Sequence, residues 1–168
     1  MIESRHTGLN VKSLADSLAF YVDTLGLAIS KLYTEPEGEY IDTLTGIEGT
    51  IQHWAKVGTD DGYLLELVQW VQPSLKRGKP VRYNARGVNH ICFQVDDVEA
   101  YMDRLLDAGY DCQPIQLDPP GNVKNFVTRG PDNEIVELVE VLEPMDDAAI
   151  SLAAAQLLAN TAPDTWTR

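Results

Sequence analysis

The sequence predicts an α+β fold built from two similar halves, and three features indicate the duplication. In each half a His is followed five residues later by Val and then by a helix-capping residue, first from His6 and again from His90. A helical pattern of apolar residues comes next in both halves. Each half then closes on nearly the same sequence, which reads LLELV at residues 64–68 and IVELV at residues 135–139.

Each predicted helix has a start signal and a stop signal. Ser13 and Asp97 stand where N-capping side chains accept hydrogen bonds from the first turn, and Gly26 and Gly109 stand where helices end. Strand-like runs broken by turn residues follow each helix. Each half therefore predicts a strand, a helix and about three further strands.

We expect one structural domain with four segments. Residues 1–71 form the first module and residues 87–143 the second. The linker, residues 72–86, carries five of the 13 basic residues, which either attract an anionic substrate or belong to an ordinary solvated loop. In the tail, residues 144–168, an Ala- and Leu-rich stretch from Asp146 to Asn160 predicts a helix whose apolar stripe packs on the domain or on a partner chain.

Composition excludes several classes of partner. The chain has a net charge of −13 and a pI of about 4.4, which disfavours binding to nucleic acid or to an anionic membrane. The N-terminus lacks the apolar core of a signal peptide, and no apolar stretch is long enough to span a bilayer. Cys92 and Cys112 form no CxxC pattern. We therefore expect a soluble cytoplasmic protein with reduced thiols.

Two carboxylates in apolar strands indicate a metal site. Glu66 and Glu137 each stand among Leu, Ile and Val, where a buried carboxylate is costly without a partner, and neither strand contains Lys or Arg. A pseudo-twofold axis between the halves would bring both together with His6 and His90. Taken singly, each is more often a salt-bridged Glu or a structural His, but the coincidence occurs twice. Imidazole and carboxylate ligands suit one divalent ion of Fe, Mn, Co, Ni or Zn.

These residues resemble the vicinal oxygen chelate superfamily, which includes glyoxalase I, methylmalonyl-CoA epimerase, extradiol dioxygenases and the bleomycin- and fosfomycin-resistance proteins. The resemblance covers residues 5 to 142. It is carried by His6, residues 17–21 (SLAFY), Leu25-Gly26, Glu66-Leu67, residues 87–91 (GVNHI), Val95-Asp96-Asp97, the turn 130–133 (GPDN) and Glu137-Leu138. That turn departs from the family's usual Asp-Pro-Asp-Gly.

The resemblance implies two βαβββ modules that form an eight-stranded cupped mixed sheet around one metal ion, with a C-terminal helix added. The first strands would supply His6 and His90, and the last strands Glu66 and Glu137. Superfamily members are commonly dimers, so we expect a homodimer. The site can lie within one chain or across two, since the family pairs its modules either way.

The resemblance also implies a reaction. A small-molecule substrate with vicinal oxygens would chelate the ion, and a ligand carboxylate, Glu137 with Glu66 able to share the role, would move a proton beside the carbonyl. The set His, Glu, His, Glu is the glyoxalase I pattern, which favours a lyase or isomerase, either glyoxalase I-like or acyl-CoA epimerase-like. An Fe(II) extradiol dioxygenase and a non-catalytic ligand-sequestering protein remain alternatives.

Three further residues are weaker candidates. His53 is predicted in the third strand, where it either contacts substrate or is a surface or core His. Arg129 precedes the turn and either meets a substrate anion or is an ordinary surface residue. Cys92 shares strand parity with His90, so it either faces the cup or is a small packing residue.

Overall fold

The predicted duplication is confirmed in a computed structural model that describes residues 1–34, 38–76, 78, 82–84, 86–118 and 121–143. Both modules have the order βαβββ. The first comprises β1 (Thr7–Val11), α1 (Leu14–Leu18) with a π-helical continuation (Ala19–Thr24), β2 (Ala28–Thr34), α2 (Glu39–Thr45), β3 (Ile51–Gly58) and β4 (Leu64–Gln72). The second comprises β5 (Ile91–Gln94), α3 (Val98–Asp107), β6 (Gln116–Leu117), β7 (Val123–Arg129) and β8 (Ile135–Val141). The short helix α2 is an insertion that the sequence pattern did not predict.

The eight strands form two four-stranded mixed sheets with the same topology. Their orders are β1-β4-β3-β2 and β5-β8-β7-β6, with the first and last strand of each module parallel. In this register Gly8 lies opposite Glu66, and Cys92 lies opposite Glu137. The two carboxylates therefore occupy equivalent positions in the two sheets.

Both helices that the repeat predicts begin and end at the expected residues. Ser13 Oγ accepts from the Asp16 amide at 3.2 Å, and Asp97 Oδ1 accepts from the Ala100 amide at 2.9 Å. Just after the helices, Gly26 and Gly109 have φ of 85° and 86°, the left-handed conformation that glycine adopts without strain.

One hydrophobic core joins the two modules through their helix-covered faces. Phe20 of the π-helical segment packs edge-on to Tyr110 of the second module, with ring centroids 4.8 Å apart. On β4, Leu65 and Leu67 are completely buried in this core. Because successive side chains of a strand point to opposite faces, Glu66 lies on the sheet face away from the core. We call this uncovered side of each sheet its open face.

A buried polar contact also links the modules. The Tyr21 hydroxyl donates to Glu134 Oε1 at 2.8 Å, and the Asp132 amide donates to the other oxygen of this carboxylate at 2.9 Å. The Glu134 carboxylate lies against Gly130, where any Cβ would collide with it. Asn133 takes the left-handed position of the turn with φ of 67°. The glycine at the first position of this turn is thus explained by the carboxylate that it accommodates.

The tail helix predicted from Asp146 to Asn160 lies outside the described residues. Within the described part of the chain, no helix is long and apolar enough to cross a membrane.

The Glu134 carboxyl gives stability a specific pH dependence. Burial raises its pKa above the ordinary 4.5, so its contribution is fully present below the unfolded-state pKa and is lost as pH rises through the folded-state pKa. Glu134→Gln lacks this titration. We expect the Gln variant to gain stability relative to wild type between pH 4.5 and pH 7, measured by urea unfolding.

Glu99→Gln is the matched control. Glu99 is exposed, and its hydrogen bond from Lys124 lowers its pKa. Its replacement should therefore shift relative stability weakly in the opposite direction over the same pH range. Parallel pH profiles for Glu134→Gln and wild type would contradict the assignment.

Candidate metal centre

His6 and Glu66 form the first of two equivalent pairs, which we call the first half-site. His6 directly precedes β1, and its Nε2 lies 3.2 Å from Glu66 Oε2 on β4. The side chains are 34% and 21% exposed, so solutes can reach a carboxylate that the strand still partly shields.

Lys56 completes the polar contacts of the first half-site. It lies opposite Glu66 on the neighbouring strand β3, and its Nζ is 3.2 Å from Glu66 Oε1 and 3.3 Å from His6 Nδ1. Lysine only donates hydrogen bonds, so this contact makes Nδ1 the acceptor and leaves the imidazole proton on Nε2, towards Glu66. No residue of β4 supplies a cation for Glu66, and Lys56 on the adjacent strand β3 does so instead. Its ammonium would compete with a metal ion for His6 and Glu66.

The second half-site is His90 with Glu137, and a neutral amide contacts its carboxylate. His90 Nε2 lies 3.2 Å from Glu137 Oε2, and Asn125 Nδ2 donates to Glu137 Oε1 at 2.7 Å. His90 Nδ1 contacts Asn89 Oδ1 at 2.8 Å. Because this amide oxygen accepts, Nδ1 carries a proton, so Nε2 is the ring nitrogen that a metal ion could bind in place of a proton.

Cys92 faces the second half-site, which is one of the two placements that its strand parity left open. It lies opposite Glu137 on the open face. Burial, followed by the charge and hydrogen bonding of Glu137, raises the thiol pKa to about 11. The thiol is therefore protonated at neutral pH. The Tyr83 ring lies 5.8 Å from the His90 ring at the same end of the site.

The other two candidates differ in placement. Arg129 continues the open-face alternation of Asn125 and Val127 on β7, and its guanidinium donates to the Asn133 carbonyl at 2.7 Å. His53 alternates with the buried residues Ala55 and Val57, so it lies on the sheet face opposite Glu66. The register therefore favours Arg129 over His53 as a group that can meet a substrate.

The two half-sites do not come together as one four-ligand group within the described part of one chain. No three of their four ligating side chains lie within 4.8 Å of one another, and the one such acidic group among the described residues is Asp97, Glu99 and Glu140. There Glu99 binds Lys124 at 2.7 Å and Glu140 accepts from the Val98 amide at 3.1 Å, so the group supports the start of α3. A cavity of about 770 Å³ at the module junction includes Cys92 but none of the four predicted ligands.

The geometry of each half-site fits a divalent ion. Two ligand atoms that each lie about 2.1 Å from one ion are about 3.0 Å apart in octahedral geometry and about 3.4 Å apart in tetrahedral geometry. The His–Glu distance of 3.2 Å in both half-sites falls within this interval. The spacing of each pair would therefore allow both groups to bind one ion, although a His–Glu hydrogen bond has the same length.

Comparison with known proteins agrees with the duplicated fold. The profile of the Glyoxalase/Bleomycin resistance protein/Dioxygenase superfamily matches residues 4–138. The chain belongs to this superfamily. Lactoylglutathione lyase from Schizosaccharomyces pombe is 30% identical over 154 residues, which are 87% of this chain and 50% of that protein. The chain thus spans half the length of this curated relative.

Solved structures of superfamily members share the architecture. A glyoxalase family protein from Bacillus cereus aligns with 85% of this chain and 96% of its own, with a TM-score of 0.78 and 22% identity. A variant of the fosfomycin resistance protein FosX from Listeria monocytogenes, complexed with Mn(II) and 1S,2S-dihydroxypropylphosphonic acid, aligns over 86% of this chain and 94% of its own. Its TM-score is 0.55 and its identity is 18%.

Replacing Lys56 tests whether the first half-site binds a metal ion. A bound ion must displace the ammonium from His6 and Glu66, so Lys56→Met should bind Zn(II) about threefold to fivefold more tightly, the value of a partly exposed ion pair. Competition with a chromogenic chelator measures this affinity. Lys12→Met removes the same charge from the turn between β1 and α1 and should leave the affinity unchanged. Weaker binding by Lys56→Met would show that the lysine supports the ligands.

Proposed function

We propose that this chain is a divalent-metal-dependent isomerase or lyase that moves a proton next to a chelated carbonyl. The observation that carries the proposal is the duplicated His–Glu pair, with the same 3.2 Å separation at equivalent positions of the two open faces. His6, Glu66, His90 and Glu137 would hold the ion. The similarity to a lactoylglutathione lyase supports this class of reaction.

We further propose that the complete site forms between two copies of the chain. The shared core holds the two open faces apart within one chain, so the first half-site needs the second half-site of another copy. A twofold dimer would pair them reciprocally and create two identical sites. A homodimer is therefore part of the proposed catalytic unit.

The substrate would be a small molecule with vicinal oxygens. Four protein ligands leave two adjacent positions on a six-coordinate ion, which match a bidentate carbonyl compound. When bound, Fe, Mn, Co, Ni or Zn would stabilise the negative charge that develops on the substrate as a proton leaves its carbon. The chain's residues then have to position the substrate and transfer the proton.

The neighbours of the two carboxylates favour Glu137 as the general base. Glu66 is held by an ion pair with the Lys56 ammonium, 3.2 Å from its Oε1, and this pair would have to open before the carboxylate could reach a substrate proton. Glu137 accepts a hydrogen bond from the neutral Asn125 amide instead. Glu137 would therefore be the carboxylate that can turn towards a substrate proton without first breaking an ion pair. Glu66 can share the role only if Lys56 moves away.

Conservative substitutions separate the two roles. Glu137→Gln keeps one metal-binding oxygen, so it should retain most Zn(II) while turnover falls about a hundredfold or more, the usual general-base contribution. Glu66→Gln should retain metal with a smaller loss. Turnover is measured as deuterium incorporation from heavy water into a methylglyoxal hemithioacetal or a methylmalonyl-type thioester, the two substrate classes of the proposal.

The same experiment exposes the alternatives. If Glu66→Gln is the more damaging variant and both hold metal, the roles of the carboxylates are exchanged. Oxygen consumption with a catechol by the Fe(II)-loaded protein would replace the proposal with ring cleavage. Ligand binding without turnover or deuterium exchange in the metal-loaded protein would replace it with sequestration.

A further inference from the structure

The open face of the first sheet carries a second group of contacts beside the half-site. The Tyr33 ring on β2 stacks on the Trp54 ring on β3, with centroids 4.6 Å apart and planes inclined by 14°. The Lys31 ammonium lies 4.7 Å from the Tyr33 centroid and 5.8 Å from that of Trp54. We call Lys31, Tyr33 and Trp54 the cation–aromatic wall.

The strand register places the wall next to the predicted metal ligands. Trp54 is two residues from Lys56 on the same strand face, and the Lys56 ammonium lies 5.4 Å from its ring. Lys56 in turn contacts Glu66 at 3.2 Å. Lys31 pairs with Lys56 across β2 and β3, so it lies two strand spacings, about 10 Å, from Glu66.

The fold does not require this wall, because the equivalent sheet lacks it. Trp54 pairs with Val68, two residues after Glu66, and Asn125 pairs with Val139, two residues after Glu137. In the second module the partner of Asn125 on the next strand is Gln116. Two polar amides therefore occupy the positions of the stacked rings, and Val127 occupies that of Lys56.

The wall remains accessible although its rings are apolar. Tyr33 is 43% exposed, and Lys31 is exposed beside it. A stacked pair whose sole role was stability would gain most from complete burial, since apolar stabilisation scales with the area removed from water. In a chain of net charge −13, a lysine held beside exposed rings also provides a local attraction for anions.

We propose that the cation–aromatic wall is a substrate-specificity subsite for a remote anionic group, a carboxylate or a phosphate, on the molecule whose vicinal oxygens bind the metal. Lys31 pairs with the anion, and the Tyr33 and Trp54 rings cover the apolar chain that joins it to the chelating end. The inference rests on the proposed function, because the metal centre fixes the other end of the ligand.

The test uses chelating probes rather than substrates. The monohydroxamate of suberic acid offers two vicinal oxygens and a remote carboxylate, and its methyl ester lacks only the charge. Titration calorimetry on the Zn(II)-loaded protein should give a Kd about fivefold to tenfold lower for the acid, the range between an exposed ion pair and a charged hydrogen bond. A third probe with a phosphate in place of the carboxylate shows which anion is preferred.

Variants assign the preference to the wall. Lys31→Met should bind acid and ester equally, whereas Lys31→Arg should keep the preference for the acid. Lys12→Met removes an exposed lysine from the turn between β1 and α1. This variant should behave as wild type, which controls for the change in net charge. Tyr33→Ala should weaken both probes about threefold by removing apolar contact area.

The outcomes separate this inference from the proposed function. If the ester binds only when zinc is present but the acid gains nothing over it, the metal centre stands and the subsite is wrong. A preference that survives in Lys31→Met also overturns the subsite. If neither hydroxamate binds the zinc-loaded protein, the proposed metal centre fails and the subsite fails with it.

Discussion

A single core shared by two sheets is the constraint on which the other features of this protein depend. Leu65 and Leu67 are buried in it, so strand alternation sends Glu66 to the open face, and the same rule applies to Glu137 between Val136 and Leu138. Moving either carboxylate into the core would require a one-residue slip that exposes the whole apolar face of the strand. The core therefore determines where the polar chemistry of both sheets lies.

The same core keeps the two half-sites from meeting in one chain. Tyr21 and Glu134 add a buried hydrogen bond to the apolar contacts, and together they hold the helix-covered faces of the modules against each other. Under the proposed function, each chain would consequently present two incomplete chelates. Dimerisation in this arrangement is a requirement of the proposed chemistry, because it supplies the missing ligands.

Much of the fold could be predicted from the sequence because its signals are local. Ser13 and Asp97 cap the helices through side chains three residues from their partners, and the repeat reveals which strands are equivalent. The neighbours of the carboxylates could not be predicted in this way. Lys56 and Asn125 reach Glu66 and Glu137 from adjacent strands, and those contacts depend on sheet register.

Other features lay beyond the sequence pattern for different physical reasons. The repeat predicts two equivalent modules but not which faces pack together, so the separation of the half-sites emerged only from the tertiary structure. The helix α2 interrupts the first module, and the described residues of the second module contain no counterpart. His53 lies on the other face of the sheet from Glu66, because it alternates along β3 with the buried residues Ala55 and Val57. Such differences between the two modules distinguish their open faces. The different roles proposed for Glu66 and Glu137 depend on them.

The central claim, that one ion is shared between half-sites of two copies, is tested most directly by mixing two inactive variants. His6→Ala and His90→Ala should each lose bound Zn(II) while remaining folded. After statistical mixing by joint refolding, half of the dimers contain both variants, and each of these has one site with all four ligands intact. The account predicts recovery of about a quarter of the wild-type sites, measured as bound zinc with matching turnover. Full metal occupancy in both single variants, or no recovery in a mixture shown to contain mixed dimers, would contradict it.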